Sequence, residues 1–85
     1  MNIDLKGKRV IVTGASRGIG RAIATAFAND GAKVAICSRN FADIAKVGEA
    51  LAERADAVIA RAVDVTDSHN VRTFVAEVAE AWGGF

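Results

Sequence analysis

The fold of this chain is decided by residues 10–20, VIVTGASRGIG, where a β-branched run leads directly into a loop with three glycines. Val10-Ile11-Val12 predicts a strand buried on both faces, as in parallel sheets. Apolar residues at helical spacing over residues 18–29 predict a helix that begins inside the loop. A strand that turns sharply into a helix presents unpaired N–H groups and the positive end of the helix dipole. The stretch therefore predicts a strand, an anion-binding loop and a helix in direct succession.

The rest of the chain repeats this alternation of strands and helices. Apolar patterning predicts further strands over residues 32–38 and 57–65. Further helices are predicted over residues 41–52, with Asn40 as the N-cap, and over residues 68–82. The order β-α-β-α-β-α with short connections predicts an α/β fold with a parallel sheet and right-handed crossovers.

The composition excludes several classes of protein. The 85 residues carry 11 Lys and Arg against 10 Asp and Glu, which disfavours a nucleic-acid or anionic-membrane partner. A single cysteine cannot form an internal disulfide, and no Cys/His cluster has metal-ligand spacing. We therefore expect a reduced, cytoplasmic setting and no metal site. No apolar run approaches the length of a membrane span, so no membrane partner is expected.

The three glycines of the loop each have a separate physical role. Gly14 permits a tight turn, Gly18 lets the backbone approach a phosphate, and Gly20 allows the helix to pack closely on the strand. No Gly-Lys-Ser/Thr sequence follows, so a P-loop nucleotide triphosphatase is disfavoured. A tight turn without a ligand is the alternative interpretation of this spacing.

The segment TGASRGIG, residues 13–20, resembles the cofactor motif of the short-chain dehydrogenase/reductase superfamily, in its compact TGxxxGxG branch. The order of elements and the Asp64-Val65 pair at the end of the third predicted strand resemble the family as well. The resemblance implies a Rossmann-type, doubly wound parallel sheet. Residues 1–85 would then be the N-terminal part of an NAD(P)-binding domain, holding its first β-α-β-α-β-α portion and ending before the fourth strand.

The end of the second strand predicts which cofactor is bound. A carboxylate there would accept from the 2′-hydroxyl of NAD, but this chain has Ser38-Arg39 instead. Arg39 could pair with the 2′-phosphate of NADP(H), and Arg17 in the glycine loop could reach the same group. We therefore expect NADP(H), with NAD(H) as the alternative. Taken singly, either arginine is also explained as a solvated surface residue.

The resemblance implies roles for four further residues. The Ile19 N–H would donate to the pyrophosphate, and the Ser16 hydroxyl would contact the phosphate on the adenosine ribose. The Asp64 carboxylate would accept from the adenine amino group, and the Val65 backbone would face the same ring. The alternative for Asp64 is a strand-end acid that accepts from helix N–H groups. Asp67 is expected to cap the last helix.

The family's catalytic residues have no counterpart in this chain. Reduction of a carbonyl by hydride needs a proton donor, and the family uses a Tyr-x-x-x-Lys motif with a Ser. The chain contains no tyrosine, so we predict no catalytic residue here. It would be the NADP(H)-binding part of an oxidoreductase that interconverts a carbonyl and an alcohol, inactive alone. The full-length protein would bind a small-molecule carbonyl or alcohol substrate and, as the resemblance implies, form a homo-oligomer.

Two other functions are compatible with the same residues. The first is a non-catalytic small nucleotide-binding or interaction module, which the coding DNA beyond Phe85 would distinguish from a truncated enzyme. The second is a Rossmann-like methyltransferase, which the sequence disfavours because such sites usually have an acid where Ser38-Arg39 stands. Neither the substrate nor the direction of the reaction is predicted by these residues.

Overall fold

The computed structural model describes residues 8–15 and 18–83. Three strands alternate with three helices in these residues, and the strands form a parallel sheet in the order β1-β2-β3. The predicted α/β class and the order of elements are therefore confirmed. The elements are β1 (Arg9–Thr13), α1 (Gly18–Asn29), β2 (Lys33–Ser38), α2 (Phe41–Ala52), β3 (Ala57–Ala62) and α3 (Ser68–Trp82).

The third strand is shorter than its apolar pattern predicts. β3 ends at Ala62, which pairs with Ser38 at the end of β2. The Val63 N–H still donates to the Ser38 carbonyl at 2.9 Å, but β2 offers no further partner. The predicted strand over residues 57–65 is therefore wrong at its end, because a strand continues only where its neighbour does. Residues 63–67 instead form the connection to α3 at the carboxyl edge of the sheet.

The helices cover both faces of the sheet, and β2 shows this most clearly. Val34 and Ile36 pack with the buried residues of α1 and α2, whereas Ala35 and Cys37 pack with those of α3. Alternate residues of a strand point to opposite faces, so one strand contributes to both layers. The central strand is buried on both sides, as the continuous apolar pattern of a parallel strand predicts.

Side-chain caps set the starts of two helices at the carboxyl edge of the sheet. The Asp43 N–H donates to Asn40 Oδ1 at 3.1 Å, which confirms Asn40 as the N-cap of α2. The N–H groups of His69 and Asn70 donate to Asp67 Oδ1, so Asp67 caps α3 as predicted. The caps satisfy N–H groups that have no acceptor within the helix. None of the helices between residues 18 and 83 is long and apolar enough to cross a membrane.

The thiol of Cys37 lies in the layer between the sheet and α3, with 1% of the residue exposed. Burial raises the pKa of this thiol, and a backbone hydrogen bond with Gly14 opposes the rise. A buried thiol with a raised pKa is a poor nucleophile because little thiolate forms and reagents cannot reach it.

We predict that Cys37 reacts with an uncharged thiol reagent at least about 10-fold more slowly in the native chain than in urea. The chain has a single cysteine, so mass spectrometry of the whole chain follows this one reaction. The matched control is free cysteine in the same two buffers, which corrects for any effect of urea on the reagent. Equal corrected rates would show that the layer around Cys37 is open to solvent.

Candidate functional site

The three parallel strands end at the same edge of the sheet, and a cleft of about 330 Å³ lies there. Ligands of open parallel sheets bind outside the carboxyl ends of the strands. The cleft therefore lies where the sequence places its candidate ligand. It brings together four of the residues predicted for the site with three that were not predicted. The predicted four are Gly14, Ser38, Arg39 and Val65, and the others are Asn40, Asp43 and Val63.

The glycine loop turns through two left-handed backbone positions. Gly14 has a φ of 64° and Gly18 a φ of 63°, a region that other L-residues rarely adopt. Gly14 thus makes the tight turn that was predicted. The structure adds a conformational reason for Gly18, for which the sequence suggested only a close backbone approach.

The loop is anchored to the second strand through Ala15, which sequence reasoning missed. The Ala15 N–H donates to the Cys37 carbonyl at 3.3 Å, and the residue is fully buried. The anchor holds the loop beside the end of β2. The sequence indicates this burial only weakly: Ala15 is small and apolar, whereas a polar residue is usual in a solvated loop.

Gly20 is where the first helix packs against the loop. A Cβ at this position would lie 2.5 Å from the Gly14 oxygen and 3.2 Å from the Thr13 oxygen. The 2.5 Å approach is shorter than real Cβ contacts, so only glycine fits without a shift of the backbone. This contact accounts for a glycine at position 20.

The side chain of Ile19 lies away from the cleft. It is 80% exposed and lines an outer groove along β1 that also contains Ile23 and Phe27. Only its backbone concerns the predicted site, because an N–H in the first turn has no acceptor within the helix. Ser16 and Arg17 lie outside the described residues, so their roles stay predictions.

Among the described residues, the segment from the end of β2 to the first turn of α2 presents one cation and one acid to the cleft. Ser38 is 8% exposed, and its hydroxyl donates to the Asn40 carbonyl at 3.2 Å. Arg39 is exposed at the cleft, where a guanidinium could pair with a phosphate. Asp43, in the first turn of α2, lines the same cleft and brings a negative charge that sequence reasoning missed.

Asp64 is held by Thr66 rather than by the helix that follows. The Thr66 hydroxyl donates to Asp64 Oδ1 at 2.6 Å, and the Thr66 N–H donates to the same oxygen at 3.0 Å. Asp67, not Asp64, accepts from the N–H groups at the start of α3, so the alternative role considered for Asp64 is not seen. Asp64 itself does not line the cleft, but Val63 and Val65 on either side of it do.

The bonds from Thr66 also determine the charge of Asp64. The Thr66 hydroxyl, and then its N–H, hold the pKa of the Asp64 carboxyl below its usual range, and attraction to Arg39 adds to this. Slight desolvation acts in the opposite direction. The carboxylate is therefore ionised at neutral pH and accepts hydrogen bonds only.

Among residues 8–15 and 18–83, no group of three His, Cys, Asp or Glu side chains could hold a metal.

Comparison with protein families and curated proteins gives the site a context. Residues 8–85 match the family described as "short chain dehydrogenase". A sorbitol dehydrogenase of Cereibacter sphaeroides is 42% identical over 79 residues, which cover 93% of this chain and 30% of that protein. The chain thus spans about a third of the length of the relatives it matches.

Solved structures of dehydrogenases and reductases also resemble this chain. L-sorbose reductase from Gluconobacter frateurii, complexed with NADPH and L-sorbose, is similar with a TM-score of 0.89 and 34% identity, covering 99% of this chain and 32% of that one. An alcohol dehydrogenase from Thermococcus sibiricus, complexed with 5-hydroxy-NADP, has a TM-score of 0.84 and 35% identity, covering 92% and 34%. These likenesses confirm the Rossmann-type arrangement of the β-α-β-α-β-α portion.

We predict that Gly20→Ala destabilises the chain by roughly 1–3 kcal/mol, because its Cβ would overlap backbone atoms that cannot move aside. Gly48→Ala is the matched control, since both substitutions put a methyl group on a helical glycine. The Cβ at position 48 would lie 3.0 Å from the Ala60 Cβ, a milder contact. Urea unfolding of both variants measures the difference. A smaller loss for Gly20→Ala than for Gly48→Ala would contradict the packing described above.

We predict that Asp64→Asn destabilises the chain at pH 7 and that its difference from the wild type shrinks below about pH 4. A carboxyl whose pKa is lower in the folded than in the unfolded state stabilises the fold above the unfolded pKa. That contribution is lost as the pH falls through the folded pKa. Urea unfolding at several pH values measures it, with Asp56→Asn at the opposite edge of the sheet as the control. A difference between Asp64→Asn and the wild type that stays constant from pH 7 to pH 3 would contradict the charged bond.

Proposed function

Because the chain belongs to the short chain dehydrogenase family, we propose that it binds the adenosine and pyrophosphate part of NADP(H) within an oxidoreductase. The longer protein would interconvert a small-molecule carbonyl and an alcohol, and the cofactor supplies the hydride for that chemistry. The observation that carries the proposal is the cleft at the carboxyl edge, which joins Gly14, Ser38, Arg39 and Val65.

The described residues offer groups suited to the pyrophosphate and the adenine of the cofactor. Gly14 lines the cleft with open space where a Cβ would stand, so the backbone offers room for a phosphate. The N–H groups at the start of α1, Ile19 among them, are donors of the kind that pyrophosphate requires. The ionised Asp64 carboxylate is an acceptor for the adenine amino group, and Val65 is the exposed apolar residue beside it.

The preference for NADP(H) over NAD(H) rests on charge at the end of β2. Arg39 is at the cleft, and neither residue 38 nor residue 39 is an acid that would accept from a ribose hydroxyl. The similar structures complexed with NADPH and with 5-hydroxy-NADP support this choice. Asp43 acts against a preference for NADP(H), because the negative charge of Asp43 lies in the same cleft as the 2′-phosphate would. NAD(H) is therefore the alternative cofactor, which the Arg39 variants test.

Residues 1–85 account for cofactor binding in this proposal, but not for catalytic turnover. The chain contains no tyrosine, so it lacks the proton donor that the family uses beside the developing alkoxide. We therefore propose that residues 1–85 bind the cofactor without reducing a carbonyl. For the full-length protein we propose a cytoplasmic setting, in keeping with the single cysteine of this part, and a homo-oligomer, as the resemblance to the family implies.

We predict that Arg39→Asp weakens NADPH binding by at least roughly 10-fold, because a hydrogen bond to a charged group contributes about 1.5–3 kcal/mol. NADH binding should stay within about 2-fold or improve, since an acid at this position can accept from the ribose hydroxyl. Isothermal titration with each cofactor measures both constants. Arg72→Asp is the matched control, because it makes the same charge change on an exposed residue of α3. An unchanged ratio of the two affinities in Arg39→Asp would rule out the assignment.

A further inference from the structure

Thr66 makes a two-point contact with one oxygen of a neighbouring carboxylate. Its hydroxyl lies 2.6 Å and its N–H 3.0 Å from Asp64 Oδ1. Both donors therefore engage the same oxygen. Within the described part of the chain Oδ2 accepts no hydrogen bond, although the charge of Arg39 attracts the carboxylate. The side chain of Thr66 is itself exposed, so burial in the core does not account for its identity.

The contact orients the carboxylate and also keeps it ionised. The terminal torsion of a lone aspartate is broad, so an unanchored carboxylate exchanges its two oxygens readily. Threonine is β-branched and stiff about χ1, which holds its hydroxyl at a defined place beside its own N–H. Two donors on one oxygen therefore leave the other oxygen as the acceptor that remains for a ligand. Asp64 does not itself line the cleft, but it lies in sequence between Val63 and Val65, which do.

We propose that Thr66 is a positioning residue for base recognition: it anchors Asp64 Oδ1 so that Oδ2 accepts from the exocyclic amino group of adenine. This inference rests on the proposed function, because it needs adenine beside Asp64. It assigns Thr66 a role in choosing the base, beyond holding the loop. Thr66 does not touch the cofactor in this proposal and acts only through Asp64.

The chemistry of the base provides a direct readout. Adenine presents an amino group that donates, whereas hypoxanthine presents a carbonyl oxygen in its place. An ionised carboxylate cannot donate, so hypoxanthine would set two acceptors against each other. A site built around a hydrogen bond rejects an analogue that cannot make it, because a polar group is then left unpaired. The low pKa of Asp64 supports this discrimination at neutral pH. A carboxylate free to rotate should discriminate less.

The test compares affinities for NADPH and for its hypoxanthine analogue, reduced nicotinamide hypoxanthine dinucleotide phosphate, by isothermal titration. We expect Thr66→Val, which keeps the shape but removes the hydroxyl, to lower the adenine preference roughly 5-fold. Most of this change should come from weaker NADPH binding. Thr66→Ser retains the donor and should restore the wild-type ratio. The control is Thr73→Val, the same change at an exposed threonine of α3 that lines no part of the cleft.

The outcomes separate this inference from the proposed function. If Asp64→Asn lowers the adenine preference and Thr66→Val does not, the role of Thr66 is overturned while the site stands. If Thr66→Val weakens both cofactors equally, the threonine is only structural, and the inference fails. If the wild-type chain binds neither cofactor, or if Asp64→Asn leaves the preference unchanged, the proposed site itself is wrong. A ratio that falls in Thr66→Val and returns in Thr66→Ser supports the inference.

Discussion

The close approach of α1 to the loop at Gly20 is the constraint on which the rest of the structure depends. A Cβ there would lie 2.5 Å from the Gly14 oxygen, so the helix can begin at this distance only with glycine. The chain must then turn from strand to helix within a few residues, which the left-handed positions at Gly14 and Gly18 allow. The Ala15 bond to the Cys37 carbonyl holds that turn beside β2. The start of α1 thus lies at the edge where all three strands end.

The parallel sheet brings residues that are distant in sequence to the same edge. In a parallel sheet every strand ends on the same side, and the register places Thr13 opposite Cys37 and Ser38 opposite Ala62. The loops after β1, β2 and β3 therefore meet around one cleft. A cofactor can contact all three loops at once, and each can bind a different part of it. This arrangement would let the proposed site hold the pyrophosphate, the ribose phosphate and the base in a single cleft.

The charges that the structure describes at this edge are of both signs. Arg39 and Asp43 both line the cleft, and the charge of Arg39 attracts the ionised Asp64. A uniformly basic cleft would attract any polyanion, whereas mixed charges require the phosphates and the base to be in specific places. Selectivity in such a site depends on how the protein's oxygen and nitrogen atoms are oriented toward the ligand.

The sequence by itself determined the class of fold, the order of the elements, two helix caps, the tight turn at Gly14 and the close packing at Gly20. These properties depend on local patterns: apolar periodicity, cap residues and glycine spacing are each read within a few neighbours. Tertiary structure alone decided that β3 ends at Ala62, since that end depends on where β2 stops. It also decided that Asp43 lines the cleft and that Ala15 anchors the loop to β2. Each of these depends on which atoms meet across the turns of the folded chain, and no periodicity or motif spacing carries that information.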